Sequence, residues 1–344
     1  MGVKLKELVE VREITISDLK GKTLVIDAFN MLYQFLSSIR SRDGELLTDS
    51  KGNVTSHLIG LFSRLTSFLE AGITPVFIFD GAPPKLKEKE RERRRLLKEA
   101  AAAKYQIAVE EDDQASMKKF GSRTTKLTSE MIEDSKILLE ALGITHLTAP
   151  SEGEAEAAEL VKQAKAYASV SQDFDSLLFG CPLLVRNLSI AGRRKKIHGI
   201  GTIAVKPEMI SLSKVLNELQ IDQDGLIALG MLVGTDFNMG GIKGIGPKKA
   251  LKLVQKYKEN YEGLFKDVKW NESFDIEWTE VFYLFKKMKV NSNVEFQERE
   301  LDTKKVLEFL VDEREFSVER VQISLDKLKK VEKQREQKGL GDFM

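Results

Sequence analysis

Four short apolar runs in this 344-residue chain end in acid. TLVID stops at Asp27 and PVFIFD at Asp80, ITHLTAPSEGE runs into Glu152 and Glu154, and YASVSQDFD closes on Asp173 and Asp175. Branched and aromatic side chains favour strands, whereas aspartate is depleted there and costly to bury. Segments with helical character lie between the runs, at 31–40, 55–70 and 129–142. Such alternation predicts an α/β fold with a mostly parallel central sheet flanked by helices. The carboxyl ends of the strands in such sheets form the functional rim, so these acids are expected to converge there. A seventh, Asp236 in MLVGTDFN, follows an apolar helix. An oxygen-rich, histidine-free cluster suits Mg²⁺ or Mn²⁺ and points to metal-dependent phosphodiester cleavage.

Each acid also has a plainer reading. Asp27 or Asp80 alone fits a turn aspartate closing a strand. Ser151 to Glu154 reads as an S-x-x-E capping box, which accounts for Glu154 and leaves Glu152 optional. Glu156 and Glu159 read as a solvated helix face. Asp173 and Asp175, two apart on extended backbone, face the same way and repel unless a cation sits between them. The coincidence of all these acids on one sheet edge favours the metal site.

Cys181 is the sole cysteine, so an internal disulfide and a zinc–cysteine site are excluded and a reducing, intracellular setting is expected. The N-terminus has no signal-peptide apolar region, Lys6 stands where a myristoylation site needs Ser or Thr, and no run is long enough to span a membrane. Net charge is only +1, but its distribution suits nucleic acid. From Lys85 to Lys104 there are nine Lys or Arg against four Glu, and four basic residues run from Arg193 to Lys196 as a loop. The stretch from Lys85 to about Thr128 is polar nearly all round. It reads as a helical excursion from the sheet, flexible without its ligand. Three arginines at 93–95 could reach a phosphoryl group, although Glu88, Glu90 and Glu92 interleave them as in an ordinary solvated helix.

From Asp224 a helix, a Gly-rich turn and a second helix beginning at Pro247 form a helix-turn-helix pattern. GIKGIGPKKA is not a P-loop, because Pro247 stands where lysine is required, nor G-x-G-x-x-G, because Lys249 replaces the third glycine. It reads as a turn whose amides and Lys248 or Lys249 grip a DNA phosphate, or as a plain helix connection.

Together VIDAFNMLYQFL, TSHLIGLF, PVFIFDGAPPKLK, APSEGEAEAA, SQDFDSLLFG, LVGTDFN and GIKGIGPKKA closely resemble the flap endonucleases of the XPG structure-specific nuclease superfamily, over nearly the whole chain. The lack of a long basic tail looks archaeal. The resemblance implies an N-terminal nuclease region (1–105), a helical arch or cap (85–128), an internal nuclease region (129–222), a helix-two-turn-helix duplex-binding element (223–260), a C-terminal helical region (261–330) and a tail (331–344). It implies that Asp27, Asp80, Glu152, Glu154, Asp173, Asp175 and Asp236 hold two Mg²⁺ ions, with Mn²⁺ able to substitute, and that Lys87 and Arg94 contact the scissile phosphate. Tyr33 would stack a terminal base, Arg123 and Lys126 would contact DNA from the cap, and Gly2 would run near the DNA. Gly244, Gly246, Lys248 and Lys249 would hold the duplex, with K⁺ on backbone oxygens. Gln337, Leu340, Phe343 and Met344 match a sliding-clamp (PCNA) docking tail, Met344 standing where an aromatic is usual. The activity implied is hydrolysis at a 5′ flap, with 5′–3′ exonuclease action, in Okazaki-fragment maturation and base excision repair. The protein would be a monomer, cytoplasmic in an archaeon or nuclear in a eukaryote. A sibling nuclease of gaps, nicks, bubbles or four-way junctions, and a non-catalytic junction binder or clamp-tethered scaffold, are the rivals.

Overall fold

The computed structural model describes residues 2–190, 192–195, 202–297 and 299–341, with backbone alone over 193–195, 202–204 and 332–341. Nine strands are described: β1 (Arg12–Glu13), β2 (Thr23–Asp27), β3 (Thr74–Phe79), β4 (His146–Thr148), β5 (Ala168–Val170), β6 (Leu183–Arg186), β7 (Gly192–Lys195), β8 (Thr202–Val205) and β9 (Glu208–Ser211). The first ten helices are α1 (Ala28–Ser38), α2 (Ser56–Glu70), α3 (Glu88–Glu110), α4 (Gln114–Gly121), α5 (Ser129–Ala141), α6 (Gly153–Lys162), α7 (Asp175–Leu178), α8 (Leu212–Leu219), α9 (Gln223–Val233) and α10 (Pro247–Tyr257). Then follow α11 (Tyr261–Asp267), α12 (Trp270–Ser273), α13 (Trp278–Lys286), α14 (Thr303–Leu307) and α15 (Val318–Gly341).

The main sheet has the order β1-β9-β6-β5-β2-β3-β4. Its five strands from β6 to β4 are parallel, and β9 and β1 add two antiparallel pairings at one edge. Period-two alternation distributes the side chains to two cores. Leu24, Ile26, Phe77 and Phe79 join one, against α1, α2, α5 and α15. Val25, Val76 and Ile78 join the other, which reaches α6 and the helices from α7 to α13. β3 and β4 extend the sheet from one side of β2, while β5 and β6 return on the other. The reversal opens a crevice at the carboxyl ends of β2 and β5, the usual ligand position in open α/β sheets.

Several local expectations are corrected. The basic run GRRKK is strand β7 of a β7–β8 hairpin, not a loop, and Lys196 lies outside the described residues. The excursion after Asp80 is helical as expected, a pair of helices α3 and α4, with Asp113 capping α4 through the amides of Ala115 and Ser116. The S-x-x-E box does not form: Glu152 is the N-cap residue of α6, and the Ser151 hydroxyl donates to the Ala82 carbonyl instead. Glu156 is buried rather than solvated and accepts the Asn291 amide at 2.8 Å. Of the tail motif, the side chains of Gln337 and Leu340, and Phe343 and Met344 entirely, lie outside the described residues.

A carboxylate rim bridged by a helical arch

Every one of the seven acids sits at a junction between elements. Asp27 ends β2 and caps α1, accepting the Asn30 amide at 3.0 Å. Asp80 follows β3 and accepts the Gly153 amide at 2.7 Å, which ties that strand to the start of α6. Glu152 and Glu154 stand at that helix start. Glu154 accepts the hydroxyls of Ser171 at 2.9 Å and Ser176 at 3.3 Å. Asp175 opens α7, so it and Asp173 do not lie on one extended strand; a helical Phe174 separates them. Asp236 lies three residues beyond the end of α9.

The N-terminal segment closes the cluster from the side. The Gly2 amide donates to Asp173 at 3.0 Å and the Val3 amide to Asp175 at 2.6 Å. A Cβ on Gly2 would stand 2.7 Å from the Asp173 side chain, so only glycine allows this approach. Asn30, Ser171 and Ser176 were not singled out from sequence, although each lies within five residues of an acid that was.

Burial and mutual repulsion dominate the electrostatics. Burial, then Asp80 and Asp173, pushes Asp27 up to about 8. Burial, then Asp173 and Asp236, pushes Asp175 up to about 7. Glu154 rises well above the usual range through burial and the charges of Asp175, Asp27 and Asp173, and burial raises Asp80 and Glu152 as well. These cross-influences join all seven acids into one site.

Two arch residues supply the nearest positive charge. Lys87 Nζ lies 2.5 Å from Glu152 and 3.7 Å from Asp236. Arg94 Nη2 lies 2.6 Å from Asp236. Burial pulls the Lys87 ammonium down, but Glu152, Asp80 and Asp236 together carry it above its ordinary value. Among the described residues no three acidic, His or Cys side chains form a ready-made ion cage; Lys87 and Arg94 hold two of the acids instead. The donor chemistry nonetheless fits divalent cations: seven carboxylates, all oxygen, crowded and desolvated, with two basic side chains against them.

The other expected residues frame this rim. Tyr33 on α1 is 37% exposed, with Lys98 Nζ 4.9 Å from its ring centroid. It borders a cavity of about 400 Å³ shared with Asn30, Lys98 and Arg123. Lys126 is exposed near this opening but does not line it. Beyond Asp236 the chain turns through Gly241 (φ +60°) and Gly244 (φ +79°), left-handed positions that favour glycine. Gly246 caps α10, Pro247 opens it, and Lys248 and Lys249 are exposed at that helix start, a favourable place for a phosphate.

Known proteins share this chain's sequence and fold. Sequence models of the XPG N-terminal domain and the XPG I-region match residues 1–101 and 143–236. Flap endonuclease 1 of Thermococcus onnurineus is 47% identical over 99% of this chain and 98% of its own length. The chain belongs to the flap endonuclease family. Within the family, flap endonuclease 1 of Pyrococcus furiosus is 46% identical over 99% of this chain and 98% of its own. The solved flap endonuclease-1 from Methanococcus jannaschii superposes with a TM-score of 0.74 at 41% identity, covering 96% of this chain and 98% of that one. The catalytic core of Rad2 in complex with DNA substrate shares the fold with a TM-score of 0.69 at 23% identity.

Proposed function

We propose that this flap endonuclease hydrolyses one phosphodiester at the base of a 5′ flap, using two Mg²⁺ ions held by Asp27, Asp80, Glu152, Glu154, Asp173, Asp175 and Asp236, and that it also acts as a 5′–3′ exonuclease. The observation that carries the reading is the placement of Lys87, at the N-cap of arch helix α3, and Arg94, within that helix, against the rim acids Glu152 and Asp236. Bound ions would supply an ionised water and charge neutralisation at phosphorus.

This chain's residues do the rest. Lys87 and Arg94 exchange their carboxylate partners for the scissile phosphate and stabilise the charge that develops on its oxygens. Tyr33 offers its exposed ring to a terminal base, and Lys98, Arg123 and Lys126 draw the single strand towards the opening. Gly244, Gly246, Lys248 and Lys249 grip the duplex phosphates, with K⁺ seated on backbone oxygens of the same turn. Asp236 follows α9 and leads directly into that turn, so duplex grip and chemistry sit at a fixed spacing. The tail residues Gln337, Leu340, Phe343 and Met344 would dock on PCNA. The setting is Okazaki-fragment maturation and base excision repair, with the enzyme a monomer in an archaeal cytoplasm. Among the described residues no helix is long and apolar enough to cross a membrane.

The test is cleavage of an end-labelled duplex bearing a 5′ flap, with and without Mg²⁺, beside 3′-flap, bubble and four-way-junction controls. Mg²⁺-dependent incision confined to the 5′ flap base is expected. Cutting of bubbles or four-way junctions alone would move the activity to a sibling group, and binding without cutting would overturn it.

A further inference from the structure

Helix α3 is polar on nearly every face, and its buried residues are two alanines and one glutamate: Ala101, Ala108 and Glu90. An alanine buries without penalty, but a carboxylate does so only when paired. Glu90 is 3% exposed and accepts from two successive arginines. Arg93 donates through Nε at 2.7 Å and Nη2 at 2.8 Å, one to each oxygen, and Arg94 donates through Nε at 2.6 Å. The Arg94 guanidinium is therefore held along two edges. Its Nε side is fixed to its own helix four residues back, and its Nη2 points to Asp236 at 2.6 Å. One residue further, Arg95 makes the same kinds of pairs with Glu92 and Glu99, but there all three side chains are half-exposed and face solvent. A solvated ion pair explains Arg95; it does not explain a buried Glu90.

We propose that Glu90 is a positioning residue for the reaction: it fixes the Nε edge of Arg94 so that the remaining donors stay aimed at the rim after Asp236 takes other partners. This rests on the reading of Arg94 as a phosphate contact. A free arginine has several rotatable bonds, and a guanidinium tied to Glu90 has already lost most of that freedom before substrate arrives. The hydrogen-bond partners of the Glu90 carboxylate are Arg93 and Arg94 and none of the seven rim acids, so Glu90 would act through Arg94, with Arg93 closing the other side of its carboxylate.

The experiment compares the full chain with Glu90→Gln, Arg94→Ala and the double variant, on a 5′-flap duplex in Mg²⁺. Single-turnover rate at saturating enzyme and Kd in EDTA are both read, with melting temperature as the check on folding. Glutamine keeps the length and helix preference of glutamate but loses its charge. Expected are a loss of about a hundredfold for Arg94→Ala and about tenfold for Glu90→Gln, with Kd within about twofold and the double variant no slower than Arg94→Ala alone. An Arg94→Ala enzyme at full rate would sink the phosphate reading and the inference with it. A slowed Arg94→Ala beside a full-rate Glu90→Gln would sink the inference alone. Losses that multiply in the double variant, or a Glu90→Gln defect confined to Kd, would show that Glu90 does not act through Arg94.

Discussion

Two regions of this molecule bury charge, and they do it to opposite ends. Behind the sheet, Asp134 of α5 takes a bidentate pair from Arg314 at 2.7 and 3.1 Å, with the exposed Glu313 3.9 Å from the same guanidinium. His57 of α2 lies beside that pair, fully buried and with neither ring nitrogen hydrogen-bonded. At the rim, seven carboxylates face Lys87 and Arg94, and peptide amides and hydroxyls make up part of the difference. The balanced pair is complete as it stands. The rim is not, and its acids climb towards neutrality because the fold alone cannot satisfy their charge. Structural burial balances charge, whereas the site keeps an excess that a cationic ligand would settle.

The largest expected effect breaks the rim. Asp175→Asn should slow flap cleavage by about a thousandfold or more while leaving flap binding nearly intact, read by single-turnover assay and Kd; joint loss of both would remove Asp175 from the metal set. Asp27→Asn sharpens the contrast: asparagine still caps α1, so thermal melts in EDTA should show this inactive variant more stable by roughly 1 kcal/mol or more. Arg314→Ala should do the reverse. It leaves Asp134 unpaired and costs about 3–5 kcal/mol in urea unfolding, yet the molecules still folded should cut flaps at the parent rate.

A smaller effect separates the two regions by pH. Burial lowers His57 to about 4, with Asp134 opposing that shift and Arg314 reinforcing it. Its unfolded form takes up a proton near 6.5 while the folded form resists, so the folded state is favoured fully above about 6.5 and loses ground as pH falls towards 4. The loss is about 3 kcal/mol, and His57→Leu should flatten that part of the urea-stability profile; an unchanged slope would assign it to other groups. Smallest of all, Arg95→Ala should alter neither cleavage nor melting, because its partners Glu92 and Glu99 are exposed; a clear rate loss would extend the functional face of the arch beyond Arg94.

The rim was legible because strand period and strand-end acids are local signals. Asp27 and Asp80 follow apolar runs whose alternation also assigns each residue to a core. Where the structure departs from the sequence reading, a distant partner overrode a local pattern. Ser151 has the spacing of a cap, but the Ala82 carbonyl claims its hydroxyl. Glu156 falls on what reads as a wet helix face, until the chain returns 135 residues later to cover it with Asn291. Asp134 and Arg314 are 180 residues apart and belong to no motif, so only the folded chain reveals them. Glu90 was visible only as one of several interleaved glutamates. What singles it out is burial, which a helix in isolation does not encode.

The sheet order bears on how the protein is made. Strand β2, emerging first of the parallel set, pairs on one side with β5, about 140 residues downstream. Asp236 joins the cluster only after more than two-thirds of the chain has been synthesised. At about 10 residues per second, roughly 20 s separate the first of the seven acids from the last. A nascent chain stalled near residue 200 would carry Lys87 and six acids on the ribosome yet lack Asp236 and the proposed duplex-binding turn. It should neither cut a flap nor hold one, because the complete set of acids would assemble only after more than two-thirds of the polypeptide has been made.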